Sequence, residues 1–247
     1  MHVNSLAVAS FTVRNPNSWL LSYAAWHVST VCECMLYIAY DLQISSVSRS
    51  CFYHIRDIRR IRSVLDFTTA QSIGTFFVHS RLDYCNSLYY GLPKIQLNHL
   101  QHIQNSLARA VVAARRSSDA NQILKSLHWL KVPDHIEYKV NSVTYKLLPA
   151  PHYLRDLITI QSAWATRSSS LVTLLHLPVQ SNLKITKRSF RHAAPHLWNK
   201  LPPSLCIPST GSIPSFSDSH HGPVCHLSYG AFHSRLKTNL FFKSFPP

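Results

Sequence analysis

The stretch LQHIQNSLARAVVAARR, residues 100–116, decides the fold class. Leu100, Ile103, Leu107, Val111 and Ala114 recur at three- and four-residue steps. That step matches the turn of an α-helix, so these residues form one apolar stripe. Arg109, Arg115 and Arg116 load the C-terminal end of the expected helix with positive charge, which suits its dipole.

The same period extends to both sides. Upstream, Ser50 can cap a helix in which Ile55, Ile58, Ile61 and Leu65 repeat on one face. Arg56, Arg59 and Arg60 fall largely on the other face of that helix. A second helix is expected from Thr69 to about Leu88, ending before Gly91-Leu92-Pro93, because the residue before a proline disfavours helix. Within it, Leu82, Cys85 and Leu88–Tyr89 share a face, which makes Cys85 a core residue. Downstream, a short helix is expected over Asp119 to Leu127. Another is opened by Pro133 and Asp134, runs through Ile136, Val140, Val143 and Leu147, and closes at Pro149 and Pro151.

The period fades after Ile160. Residues 161–188 are rich in Ser and Thr, with a strand or two expected around Leu171–Leu177. Residues 202–231 carry Pro, Ser, Gly and His and read as loop or disorder. A last short helix is expected over Phe232 to Phe242. The organisation is therefore an unassigned segment 1–43, a helical region 44–160 and a loop-rich region 161–247. The fold class is mainly α, an irregular helical assembly whose C-terminal third is loop-rich or disordered.

Charge narrows the function classes. The 247 residues hold 25 Lys plus Arg against 10 Asp plus Glu, a formal charge of +15 with neutral His. Such a surface attracts polyanions, because Lys and Arg displace counterions from phosphate backbones. The candidate contacts are Arg49, Arg56, Arg59, Arg60 and Arg62, which fall within 14 residues beside Tyr53 and His54, together with Arg109, Arg115 and Arg116. An ordinary solvated helix face is the competing account of the same arginines. The carboxylates, by contrast, are scattered singly, with Glu only at Glu33 and Glu137, and no two acidic residues adjoin. Two-metal phosphoryl transfer needs several carboxylates converging on cations about 4 Å apart. No catalytic residue is expected.

The six cysteines show no disulfide framework and read as free thiols in a reducing compartment, which implies an intracellular location in nucleus or cytoplasm. Cys32-Glu33-Cys34 with His27 lacks a second pair at zinc spacing, and Cys206, His220, His221, Cys225 and His226 fit no standard knuckle. No metal, cofactor or small-molecule substrate is expected. Residues from Trp19 to Tyr40 are mostly apolar, but Glu33 near their middle argues against a membrane span, and the opening MHVNSLAVASFTV has no basic n-region of a secretory signal. In His128-Trp129-Leu130 and His196-Leu197-Trp198 the tryptophans are expected to pack in the core, with stacking on bases as the alternative.

Seven blocks then share one order. They are RSCFYHIRDIRRIR (49–62), SRLDYCNSLYYGLP (80–93), LQHIQNSLARAVV (100–112), ILKSLHWLKVPDHIEYKVNSVTYKLL (123–148), PHYLRDLI (151–158), RSFRHAAPHLWNKLPPSL (188–205) and FHSRLKTNLF (232–241). Together they resemble the region downstream of the polymerase palm in LINE-type non-LTR retrotransposon reverse transcriptases. The resemblance runs from Ile44 to Phe241. It departs from the family in residues 1–43, in a shorter join at Leu147–Pro151 and in a longer one at Cys206–Gly230. It implies a retrotransposon-derived chain without the palm and its paired aspartates, and therefore without catalysis. The partner it implies is nucleic acid, held through phosphate rather than read by sequence. The alternatives are a helical scaffold for a protein partner, and part of an RNA-directed DNA polymerase active only with a palm supplied elsewhere.

Overall fold

The computed structural model describes residues 18–151, 156–161, 171–176, 178, 188–207 and 227–246, with side chains from residue 39 onward. The chain is mainly α-helical. Helix α1 spans Ser18–Ile61. A unit boundary falls after Tyr40, so only the stretch of α1 from Asp41 belongs with the remainder of the chain. Next come α2 (Phe67–Gly74), a π-helical turn (Thr75–His79), α3 (Ser80–Asp83) and a 3-10 turn (Asn86–Tyr89). Helices α4 (Lys94–Val111), α5 (Ala120–Ser126) and α6 (Val132–Leu147) follow, then α7 (Phe190–Trp198) and α8 (Tyr229–Ser244). Among the described residues no helix is long and apolar enough to cross a membrane.

The stripe of α4 is buried as its spacing requires: Leu100, Ile103, Leu107 and Val111 all lie in the core. Ala114 does not join them, because the helix stops at Val111 and Ala113 adopts a left-handed backbone, φ 57°. Arg115 and Arg116 therefore follow the helix instead of lying on its last turn. Two glutamines fasten α4 to the start of α6. Gln104 Nε2 donates to the Leu130 carbonyl at 2.8 Å, and Gln101 Oε1 accepts from the Val132 amide at 2.9 Å. Helix α2 approaches α4 closely at Gly74, where an added Cβ would stand 3.1 Å from both Leu107 Cδ1 and Val111 Cγ2.

Several boundaries differ from expectation. Ser50 is no cap, since α1 is already helical through it; Ser48 and Cys51 beside it are buried. The helix ends at Ile61, so Leu65 lies beyond it. The second helix begins with Asp66, whose side chain accepts from the Thr69 amide at 3.0 Å, and it ends at Asp83 rather than Leu88. The cause is Cys85, which takes a left-handed backbone at φ 53°. Its thiol is exposed, not core. Asp119 caps α5 by accepting from the Asn121 amide at 2.9 Å. In place of a strand at 171–177, the described residues hold one isolated antiparallel bridge, Ile160 with Leu174.

Among the described residues, one hydrophobic cluster joins the regions 44–160 and 161–247. Leu130, Val140, Tyr145, Leu148 and Ile158 pack with Leu174, Ala194, Leu197, Trp198, Phe232 and Leu236. Trp198 is the centre of this cluster. It is fully buried, its Nε1 donates to the Val172 carbonyl at 2.8 Å, and its ring stacks on Phe232 with centroids 5.8 Å apart. Asn199 beside it accepts from the Leu174 amide at 3.0 Å and donates to the Leu174 carbonyl at 2.8 Å. The rest of this backbone is met by single bonds from other segments: the Val172 amide donates to the Cys206 carbonyl at 2.9 Å and the Gln161 amide to the Thr173 carbonyl at 2.9 Å. The α8 boundary extends beyond the expected helix because Ser228 caps it, accepting from the Ala231 amide at 3.3 Å.

Candidate functional site

Seven of the eight arginines singled out in the sequence fall into three settings; the eighth, Arg115, lies exposed beyond the end of α4. Arg49 and Arg56 line an open groove of about 620 Å³ with Ser45, Ser48, Phe52, Tyr53 and His99. All but His99 belong to α1, and His99 is on α4. The Arg56 guanidinium lies 5.3 Å from the centroid of the Tyr53 ring, a cation–π distance. Arg60 stands apart: it pairs with Asp57 at 3.6 Å in an exposed three-residue step.

The third setting is the tip where α1 and α4 end side by side. Arg59 Nη2 donates to the Ser106 carbonyl at 3.3 Å. Arg62 Nε donates to the Val111 carbonyl at 2.6 Å and its Nη1 to the Leu65 carbonyl at 2.7 Å. Arg62 thus caps both chain segments at once, supplying donors to carbonyls that a helix C-terminus leaves open. Arg109 Nε donates to the Ser118 carbonyl at 3.0 Å. Arg116 is exposed beside them. Burial pulls the Arg59 guanidinium below its ordinary range, and the charges of Arg116 and Arg109 push it the same way. Among the described residues, no carboxylate forms an ion pair with Arg59, Arg62, Arg109 or Arg116. Like charges are held together here without compensation.

The acidic residues lie elsewhere and are occupied. Asp134 and Glu137 are brought together on α6, where Lys243 of α8 reaches both, Glu137 at 2.6 Å and Asp134 at 3.6 Å. The Ser244 hydroxyl donates to Asp134 Oδ2 at 2.5 Å. Burial lowers the Lys243 pKa, but the bond to Glu137 and the charges of Glu137 and Asp134 outweigh it and raise the net value. This pair neutralises a lysine. Asp83 holds His135 Nδ1 at 2.7 Å. Arg81 hydrogen-bonds to the Ser50 hydroxyl. Among the described residues no group of His, Cys, Asp or Glu is arranged to hold a metal ion. The candidate ligands at His27, Cys32, Cys34, His220, His221, Cys225 and His226 lie outside the described side chains.

Two histidine clusters escape sequence reasoning. His79, at the end of the π turn, lies with its ring centroid 4.2 Å from that of Trp129. Its Nε2 is buried without a partner, and burial pulls its pKa down to about 4, with Asp83 opposing and His135 reinforcing. The Tyr138 and Ser142 hydroxyls lie 2.9 and 3.2 Å from His233 Nδ1. Ser142 is itself buried, which removes substrate access that a nucleophile would need. Both clusters join residues far apart in sequence, so no local spacing announces them. The tryptophans are likewise settled by packing. Trp198 is fully buried and Trp129 nearly so; neither presents a face to a base. No protein-family model, no curated protein and no solved structure matches this chain.

Proposed function

We propose that the chain is a catalytically incomplete, retrotransposon-derived fragment that binds nucleic acid through phosphate, without sequence preference. The single observation that carries this reading is the tip of α1 and α4, where Arg59, Arg109 and Arg116 gather with no carboxylate partner among the described residues. Holding like charges together opposes folding. A polyanion offsets that opposition, and each phosphate contact releases condensed counterions. The absence of adjoining acidic residues in the sequence supports the catalytic half of the reading.

The test is the salt dependence of binding to duplexes of unrelated sequence. The full chain should bind them with similar affinity at low salt. Changing Arg59, Arg109 and Arg116 to Gln should flatten the log–log salt slope by roughly two to three units, at about 0.9 per lost contact. A slope that does not move would sink the phosphate reading.

One specific observation favours the scaffold alternative. Val64, Phe67, Phe76 and Phe77 are exposed around α2 and the π turn, and Phe76 and Phe77 touch edge to face at 5.1 Å. Exposed apolar patches mark protein or membrane interaction sites. On the scaffold reading binding would be insensitive to salt, so the same titration separates the two.

A further inference from the structure

We propose that the groove lined by α1 and His99 of α4 holds one unstacked nucleotide of a single-stranded nucleic acid. The base would lie on the Tyr53 ring and the phosphate against Arg49 and Arg56. This rests on the nucleic-acid reading above and adds a strand preference to it.

Three features of the groove support the assignment. Its volume of about 620 Å³ falls within the roughly 300–1,000 Å³ of ligand sites. Its chemistry is mixed in the way a nucleotide needs. Tyr53 is 56% exposed, and the Arg56 guanidinium lies over one face of its ring, 5.3 Å from the centroid. Phe52 extends the apolar wall and is itself supported by His102 at 5.9 Å between ring centroids. Arg49 and Arg56 supply positive charge that no carboxylate meets among the described residues.

The third feature points independently to a ligand. Ser48 lines the groove at 5% exposure, and its hydroxyl is buried with no hydrogen-bond partner. A buried hydroxyl without a partner is disfavoured. A ligand seated in the groove would bring an acceptor to the wall that Ser48 helps form. A base edge or a phosphate oxygen supplies one.

Stacking explains why the strand should be single. In a duplex both faces of every base are covered by neighbours, so Tyr53 could reach only the backbone. A single strand offers base faces of any sequence, and aromatic stacking is tolerant of which base is present. The charged tip of α1 and α4 makes no such distinction.

The experiment is fluorescence anisotropy of the full chain with a labelled oligothymidine and with a duplex of equal length. The wild-type chain should favour the single strand by about ten-fold, the order expected for one stacked base. Tyr53→Ala should remove that preference by weakening the single strand about ten-fold more than the duplex, while Tyr53→Phe should retain it. Ser48→Ala should weaken single-strand binding by a smaller factor. Equal loss on both ligands, or no loss in Tyr53→Ala, overturns the groove assignment. Duplex binding that persists in those variants keeps the phosphate reading standing without the groove. If neither ligand binds the wild-type chain, both readings fall.

Discussion

The seam between α6 and α8 and the tip of α1 and α4 both gather basic side chains, and they treat them in opposite ways. At the seam Lys243 is met by Glu137 and Asp134, and Ser244 fills a further carboxylate position. At the tip Arg59 is crowded by Arg116 and Arg109 and meets backbone carbonyls instead of acids. The first arrangement closes on itself and stabilises the fold. The second leaves charge open, at some expense to the fold, where an anion could use it. Departures from local stability of this kind are found at functional or strained sites.

The largest test asks where the stability resides. Trp198 anchors the core beneath the seam, fully buried and bonded to the Val172 carbonyl. Trp198→Ala should destabilise by about 3–5 kcal/mol, since it removes a large buried ring and strands that carbonyl. Urea unfolding at neutral pH measures it. A loss below about 1 kcal/mol would mean that the core tolerates the cavity and that the seam is not its centre.

Next in size is an acid effect in the packed half. His79 is buried with a pKa near 4 against an ordinary 6.5, so the folded chain excludes its proton where the unfolded chain accepts it. Stability should then be complete above about pH 6.5 and fall as pH drops toward 4. The full difference corresponds to about 3 kcal/mol, at about 1.4 per unit. His79→Leu should flatten that limb of a pH series of urea midpoints. If the variant keeps the wild-type acid slope, His79 is not the group responsible. The contrast is sharp: the interior refuses one positive charge, while the tip keeps three together.

A smaller effect is expected at the seam itself. Lys243→Met leaves Glu137 and Asp134 side by side without their cation, and Asp134 is only 12% exposed. Because the Lys243 side chain is itself half exposed, the expected loss is about 1 kcal/mol. Adding Glu137→Gln should recover part of it by removing the stranded pair. A double variant no more stable than the single one would show the two carboxylates to be independent.

These two regions also differ in how far sequence exposes them. The stripes of α4 and α6 are legible because Leu100, Ile103 and Leu107 repeat within the first and Ile136 and Val140 within the second, and all are buried. The helix ends are less so. Ala113 and Cys85 take left-handed backbones that no periodicity encodes, and they move Arg115, Arg116 and the Cys85 thiol out of the helices expected to carry them. Ser50 carries the chemistry of a cap but sits inside a longer helix, since a cap residue acts only where the preceding chain is not helical. The apolar run at Leu171–Leu174 needed a strand partner on pattern alone. Trp198 and Asn199, with single backbone bonds to Gln161 and Cys206, satisfy it instead. At the site, the arginine cluster of α1 is plain in the sequence, but its division is not. Arg62 becomes a structural cap because Val111 lies 49 positions away and happens to end beside it. Lys243 finds Glu137 across 106 positions for the same reason.

The smallest expected effect is the one that most directly opposes tip to seam. If Arg116 is held against Arg59 and Arg109 without compensation, then removing its charge should help the fold rather than harm it. Arg116 is exposed and makes no hydrogen bond or ion pair among the described residues, so Arg116→Gln removes repulsion and little else. The gain should be about half a kcal/mol or less, the usual range for surface substitutions. Its sign is what matters, because Lys243→Met should move the opposite way under the same conditions. Salt supplies the second criterion. The Debye length shrinks from about 30 Å at 0.01 M to about 3 Å at 1 M, so the Arg116→Gln gain should be visible in dilute buffer and vanish in molar salt. Paired thermal melts of wild type and variant at the two ionic strengths decide it. A variant less stable than wild type in dilute buffer would mean that Arg116 is already matched within the chain, and the tip would then be a second seam rather than an open one.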